Sequence, residues 1–208
     1  MSRIKICGIT RLQDAQLAAS LGAWAVGFIF VEKSQRYIQP ELAFEISSNL
    51  PETTLKTGVF VNATISEVIS HAQSAKLNMI QLHGEESPQS CKQLKQELNL
   101  PIIKAIRVQS PQDLAIINEY KNYIDFILLD SFSEKEHGGS GQVFDWDIAI
   151  KAKDYETPII LAGGINAQNI KTAITEVRPY ALDLSSGVEC TKGIKDHKLM
   201  QELFLAID

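Results

Sequence analysis

The chain has 208 residues, 45% hydrophobic and 22% charged, which is ordinary globular composition and enough for one sizeable core. A net charge of -5 without any basic block argues against a nucleic-acid partner, and no apolar stretch approaches the ~20 residues that span a bilayer. The 3 cysteines, Cys7, Cys91 and Cys190, are widely spaced with no C-x-x-C pair, so neither a disulfide framework nor a structural zinc site is expected, and a cytoplasmic location is.

Strand candidates run along the whole chain: Ile4–Cys7, Ala25–Phe30, Lys56–Val61, Met79–Leu82, Ile102–Ile106, Phe126–Asp130, Ile159–Leu161 and Ala181–Leu184. Charged Arg3 and Lys5 interrupt the first of these apolar runs, so no secretory leader is expected. Helical patterns with readable starts lie between the strands. Thr10-Arg11-Leu12-Gln13 and Thr64-Ile65-Ser66-Glu67 fit a capping box, Ser87-Pro88 and Ser110-Pro111 give a cap followed by proline, and Asn166 offers a further cap. Strand and helix alternate at the period of a βα unit. Eight such units predict an α/β fold, a single (β/α)8 barrel over residues 1–208; a doubly wound open sheet competes, but Cys7-Gly8-Ile9-Thr10 offers no G-x-G-x-x-G. Two long loops, Val31–Gln39 and Ser131–Phe144, follow strands, and so belong to the carboxyl-terminal face on which barrels build their sites.

The residues at that face carry the chemistry. Gly163 and Gly164 end the seventh strand, and Ser185, Ser186 and Gly187 end the eighth, the two places where a barrel holds a phosphate. Glycine lets the backbone approach phosphate oxygens, and serine adds hydroxyl donors. Asp130 ends the sixth strand behind four apolar residues, a setting that favours a protonated carboxyl and hence a general acid. Cys7 ends the first strand, where a thiol facing the cleft is a base and one buried in mid-strand is merely a small hydrophobe. Lys5 shares its face and favours the thiolate. Arg36, in the second loop, suits bidentate capture of a carboxylate, or else stands in solvent. His83 ends the fourth strand, where it lines the pocket or bonds the next loop. Asp183 is placed to pair with Lys5 across the closing strands, with substrate contact as its second role. The 4 histidines share no H-x-x-x-H or H-E-x-x-H spacing, so no metal is expected.

These motifs, in this order, resemble the phosphoribosylanthranilate isomerase family. The resemblance rests on Lys5-Ile6-Cys7-Gly8-Ile9-Thr10, Ser34-Gln35-Arg36-Tyr37-Ile38, Gln81-Leu82-His83-Gly84, Leu129-Asp130-Ser131, Gly138-Gly139-Ser140-Gly141, Leu161-Ala162-Gly163-Gly164-Ile165 and Asp183-Leu184-Ser185-Ser186-Gly187-Val188-Glu189. It implies an Amadori rearrangement in tryptophan biosynthesis, with no cofactor, on a small phosphorylated substrate. It further implies Asp130 as general acid, Cys7 as general base, Arg36 on the anthranilate carboxylate and the Gly163-Gly164 and Ser185–Gly187 loops on the phosphate. The Gly138–Gly141 loop is expected to help close over the substrate. Other readings are a different sugar-phosphate barrel enzyme, a barrel that also accepts the related histidine-pathway aminoaldose, and a non-catalytic phosphate-ligand sensor that needs neither Cys7 nor Asp130. Monomer and homodimer are both compatible with the composition.

Overall fold

A computed structural model describes residues 2–131 and 146–207. All eight expected strands form: β1 (Arg3–Cys7), β2 (Ala25–Ile29), β3 (Leu55–Phe60), β4 (Met79–Leu82), β5 (Ile102–Val108), β6 (Phe126–Ser131), β7 (Ile159–Leu161) and β8 (Ala181–Leu184). Each lies parallel to the next, and β8 pairs back onto β1 with Lys5 opposite Asp183, closing the barrel and ruling out the open sheet. Helices α1 (Leu12–Ser20), α2 (Pro40–Ser48), α3 (Ile65–Ser74), α4 (Pro88–Leu98), α5 (Ile117–Tyr120), α6 (Trp146–Ala152), α7 (Ile170–Val177) and α8 (His197–Leu205) alternate with the strands.

Strand parity sorts the side chains into two cores. Ile6, Phe28, Ile80, Ile127 and Leu182 face outward and pack under the helices. Ala25, Met79, Ile103, Leu128, Ile160 and Ala181 fill the barrel interior. The amino-terminal end of that interior is closed by Trp24, Phe126 and Tyr180. Trp24 meets the other two rings edge-on at centroid distances of 5.9 and 5.8 Å, and the Arg3 guanidinium lies 4.2 Å over Tyr180. Toward the carboxyl-terminal end the inward positions become Cys7, Gln81, Asp130 and Asp183, short or polar groups that cannot fill a core, and a cavity opens there.

The capping expectations divide. Thr64 and Glu67 form the reciprocal box, and Ser87 accepts from the Ser90 amide ahead of Pro88. Ser110-Pro111 starts a 3-10 segment (Pro111–Ile116) rather than an α-helix, and the Asp113 carboxylate accepts from the amides of Gln109 and Ser110. Thr10 does not cap α1. Its hydroxyl donates to the Gly193 carbonyl, and Arg11 takes the cap position with no side-chain bond. Asn166 sits one turn ahead of α7: its Oδ1 accepts from the amides of Gln168 and Asn169, and Asn169 occupies the cap position. In both cases tertiary or loop bonding outcompetes the local cap.

After β8 the chain forms an antiparallel ribbon, β9 (Glu189–Thr191) and β10 (Ile194–Lys195). Cys190 stands on β9, exposed. The ribbon returns Glu189 and Lys195 to the barrel mouth. The Gly138–Gly141 loop lies outside the described residues.

Candidate active site

A cavity of about 430 Å³ opens at the carboxyl-terminal end of the strands. Every candidate site residue lines it: Cys7 and Asp130 on strands β1 and β6, Arg36 and His83 from the loops after β2 and β4, and Gly163, Gly164, Asp183, Ser185, Ser186 and Gly187 from the β7 and β8 side.

Cys7 is buried at the end of β1. Beneath it Lys5 is fully buried, with Nζ 2.8 Å from Asp183 Oδ1. Burial alone would push the Lys5 ammonium toward neutrality; Asp183 and Cys7 outweigh it and hold Lys5 charged. Burial likewise pushes the Cys7 thiol up, and here the opposing pull of Lys5 does not overcome it. Lys5 thus favours the thiolate in direction, as its position suggests, while desolvation keeps the resting group a thiol.

Arg36 is not a solvated loop arginine. It is 8% exposed, and its guanidinium forms a two-pronged pair with Glu189, Nε to Oε1 at 2.9 Å and Nη2 to Oε2 at 2.7 Å. Glu189 also accepts from Lys195 Nζ at 2.8 Å, and Lys195 Nζ donates to the backbone carbonyl of Cys7 at 2.5 Å. Burial would raise the Glu189 carboxyl; the Arg36 and Lys195 cations hold it below the ordinary carboxylate range. Burial lowers Lys195 despite Glu189. This chain of bonds ties the arginine loop, the ribbon and the end of β1 into one unit.

Across the cavity, Asp130 Oδ2 lies 3.4 Å from His83 Nε2, and Gln81 Nε2 lies 2.9 Å from His83 Nδ1. Below them Lys104 Nζ binds Glu86 at 3.0 Å and the Gly84 carbonyl at 2.7 Å, and Glu86 in turn accepts from the Gly84 amide. That buried pair fixes the turn directly after His83.

The remaining wall is backbone. Gly163 and Gly164 take φ of +85° and +69°, conformations that side-chain-bearing residues rarely adopt. Ser186–Val188 forms a 3-10 turn at the end of β8. A Cβ on Gly187 would stand 2.0 Å from the Ile165 carbonyl, so glycine is what lets the β7 and β8 loops touch. Together these loops line the cavity with glycine backbone and the Ser185 and Ser186 side chains, groups of the kind that hold anions in other proteins. The Ser185 hydroxyl also contacts Glu189 at 3.4 Å.

The family model for N-(5′-phosphoribosyl)anthranilate (PRA) isomerase matches residues 4–206. The chain belongs to that family. A PRA isomerase of Thermotoga neapolitana is 45% identical over 202 residues, covering 97% of this chain and 96% of the relative. The crystal structure of the Thermotoga maritima isomerase superposes with a TM-score of 0.92 at 39% identity, covering 99% of this chain and 98% of that one. A further isomerase structure, in complex with reduced 1-(o-carboxyphenylamino)-1-deoxyribulose 5-phosphate, gives a TM-score of 0.87 at 39% identity and covers 98% and 97% of the two chains.

Three residues of the site carry no role from sequence alone: Glu189, Lys195 and Gln81. Gln81 had a usable signal, a polar residue at an inward position of an otherwise apolar strand. Glu189 and Lys195 had none, because the ribbon that joins them shows neither helical nor strand periodicity.

Proposed function

We propose that this cavity performs the Amadori rearrangement of N-(5′-phosphoribosyl)anthranilate to 1-(2-carboxyphenylamino)-1-deoxyribulose 5-phosphate, with Asp130 as acid and Cys7 as base. The supporting observation is the placement of a thiol and a carboxyl on different strand ends of one cavity whose remaining wall is the Gly163-Gly164 and Ser185–Gly187 backbone. The family relationship and the product-like ligand of the solved relative support the same substrate.

In this reading the Gly163-Gly164 and Ser185–Gly187 loops hold the phosphate, and Arg36, its plane set by Glu189, receives the anthranilate carboxylate. Asp130 gives its proton to the ribose ring oxygen as the bond from that oxygen to C1′ breaks. The anthranilate nitrogen lone pair then forms the iminium. The Cys7 thiolate takes the C2′ proton, and the released electron pair forms the C1′–C2′ double bond and neutralises the iminium. The enolamine loses its enol proton, gains a proton at C1′ and becomes the ketone. Desolvation makes Cys7 a reluctant thiolate but a strong base: as the iminium brings its positive charge, the Cys7 thiol gives up its proton to solvent, and the thiolate so formed is the base. The electron sink is the substrate's own nitrogen, so the reaction as written uses no cofactor.

The chain is read as one barrel domain, and its three free thiols suit a reducing cytoplasm. Among the described residues no helix is long and apolar enough to cross a membrane. Monomers generated from the dimeric enzyme of Thermotoga maritima are among the solved relatives. The residues invoked here all lie within a single chain, so this chemistry is expected of the monomer.

The deciding experiment follows the fluorescence of freshly generated phosphoribosylanthranilate with wild type and Cys7→Ser. Rapid decay with wild type, and loss of at least about a hundredfold in turnover with the variant, is the expected result. Decay at wild-type rate with the variant would remove Cys7 from the mechanism. No decay with wild type would leave a phosphate-binding barrel, the sensor reading.

A further inference from the structure

Beside Asp130 stands a short chain of side chains that the reaction scheme does not use. Gln81 is 1% exposed on β4, with Nε2 at 2.9 Å from His83 Nδ1, while its Oε1 is buried without a hydrogen-bond partner among the described residues. On the far side of the imidazole, Nε2 lies 3.4 Å from Asp130 Oδ2.

An amide nitrogen can only donate. With Gln81 Nε2 as the amide atom that faces the ring, Nδ1 is the bare, accepting nitrogen, and a neutral His83 carries its proton on Nε2, the ring nitrogen nearer Asp130. A protonated carboxyl has one proton for two oxygens. We infer that Gln81 fixes the tautomer of His83, so that His83 Nε2–H occupies Asp130 Oδ2 and the acid proton is carried on Oδ1. The opposite tautomer would present a bare Nε2 that draws the carboxyl proton toward itself and away from the substrate. A closure of roughly 0.5 Å, of the kind substrate binding produces, turns the 3.4 Å approach into a full hydrogen bond. Gln81 and His83 are positioning residues, and this inference rests on the assignment of Asp130 as the acid.

Long-range proton–nitrogen correlation of histidine-labelled protein reads the tautomer directly, with His83 assigned through His83→Asn. Wild type is expected to show Nε2 protonated and Nδ1 bare. Gln81→Glu replaces the donor by an acceptor. It is expected to protonate Nδ1 and lower kcat about a hundredfold, with KM within about twofold. Gln81→Met deletes the donor at similar volume and is expected to mix the tautomers and lower kcat about tenfold. A wild-type His83 protonated on Nδ1 alone would overturn the inference without recourse to any variant. So would a shifted tautomer in Gln81→Glu with unchanged kcat, or a fall in kcat with the tautomer unmoved. Failure of wild type to convert phosphoribosylanthranilate is a separate result: it strikes the isomerase reading, whereas the tautomer is measured without substrate.

Discussion

Cys7 concentrates the opposing forces of this site in one atom. Its thiol is enclosed by protein, which penalises the thiolate first and most; Lys5 and Lys195 favour the thiolate, and Asp183 opposes it. The net direction is upward, so the thiolate fraction at neutral pH is below that of a free thiol and rises only as the solution passes the ordinary thiol range. Alkylation of Cys7 by iodoacetamide, followed as activity loss in a Cys190→Ser background, is therefore expected to be slow at pH 7.5 and to climb through pH 9 and beyond. Lys5→Met deletes the main opposing cation and leaves Asp183 beside the thiol, so alkylation at any one pH should slow about tenfold further. Equal rates in the two proteins would show that Lys5 does not act on the thiol. Cys7 and Asp130 stood out in the sequence because each is a reactive side chain closing an apolar run, where the open question was only whether it faces the cleft. The solvated alternative for Arg36 was open for the opposite reason. A loop has no parity, and the carboxylate that buries this arginine lies 153 residues away in sequence.

At the scale of elements, the strands were readable nearly residue by residue, because burial on both faces leaves continuous apolar runs with sharp ends. The ribbon β9–β10 was not, yet it does most to organise the mouth of the barrel. It carries Glu189 and Lys195, and so joins Arg36 on the second loop to the carbonyl of Cys7 on β1. Its turn is also fastened from outside, since the Thr10 hydroxyl donates to Gly193. That long-range bond is the reason the Thr10 cap read from local sequence does not form. Glu189→Gln tests the element. The amide keeps the size of the side chain but leaves two buried cations, Arg36 and Lys195, without their shared anion. KM for phosphoribosylanthranilate should rise about tenfold as the guanidinium loses its fixed plane, while kcat changes less than KM. Steady-state kinetics check this, and an unchanged KM would show that Arg36 is held by something other than Glu189.

On the scale of the whole molecule, the barrel divides its labour along its axis. The carboxyl-terminal end is lined by groups chosen for reactivity, several of them buried and charged, and such an end contributes little to holding the barrel closed. The amino-terminal end is the converse: Trp24, Phe126 and Tyr180 form a floor of edge-on rings with Arg3 lying over Tyr180, and none of these four lines the cavity. This division predicts that stability and activity respond to different residues. Trp24→Ala removes the ring shared by both edge contacts and opens the floor. For a partly buried tryptophan the loss should be about 2–4 kcal/mol, read as a fall in Tm of roughly 5–15 °C. Because β2 leaves the floor and reaches the cavity only at Ile29, five residues after Trp24, the fold should transmit little of this to the site. KM and kcat at 25 °C are then expected to stay within about twofold of wild type. Thermal unfolding by circular dichroism beside steady-state kinetics separates the two quantities. A loss of kcat on the scale expected for Cys7→Ser, with Tm unmoved, would mean that the floor takes part in the chemistry and that the two ends are not independent.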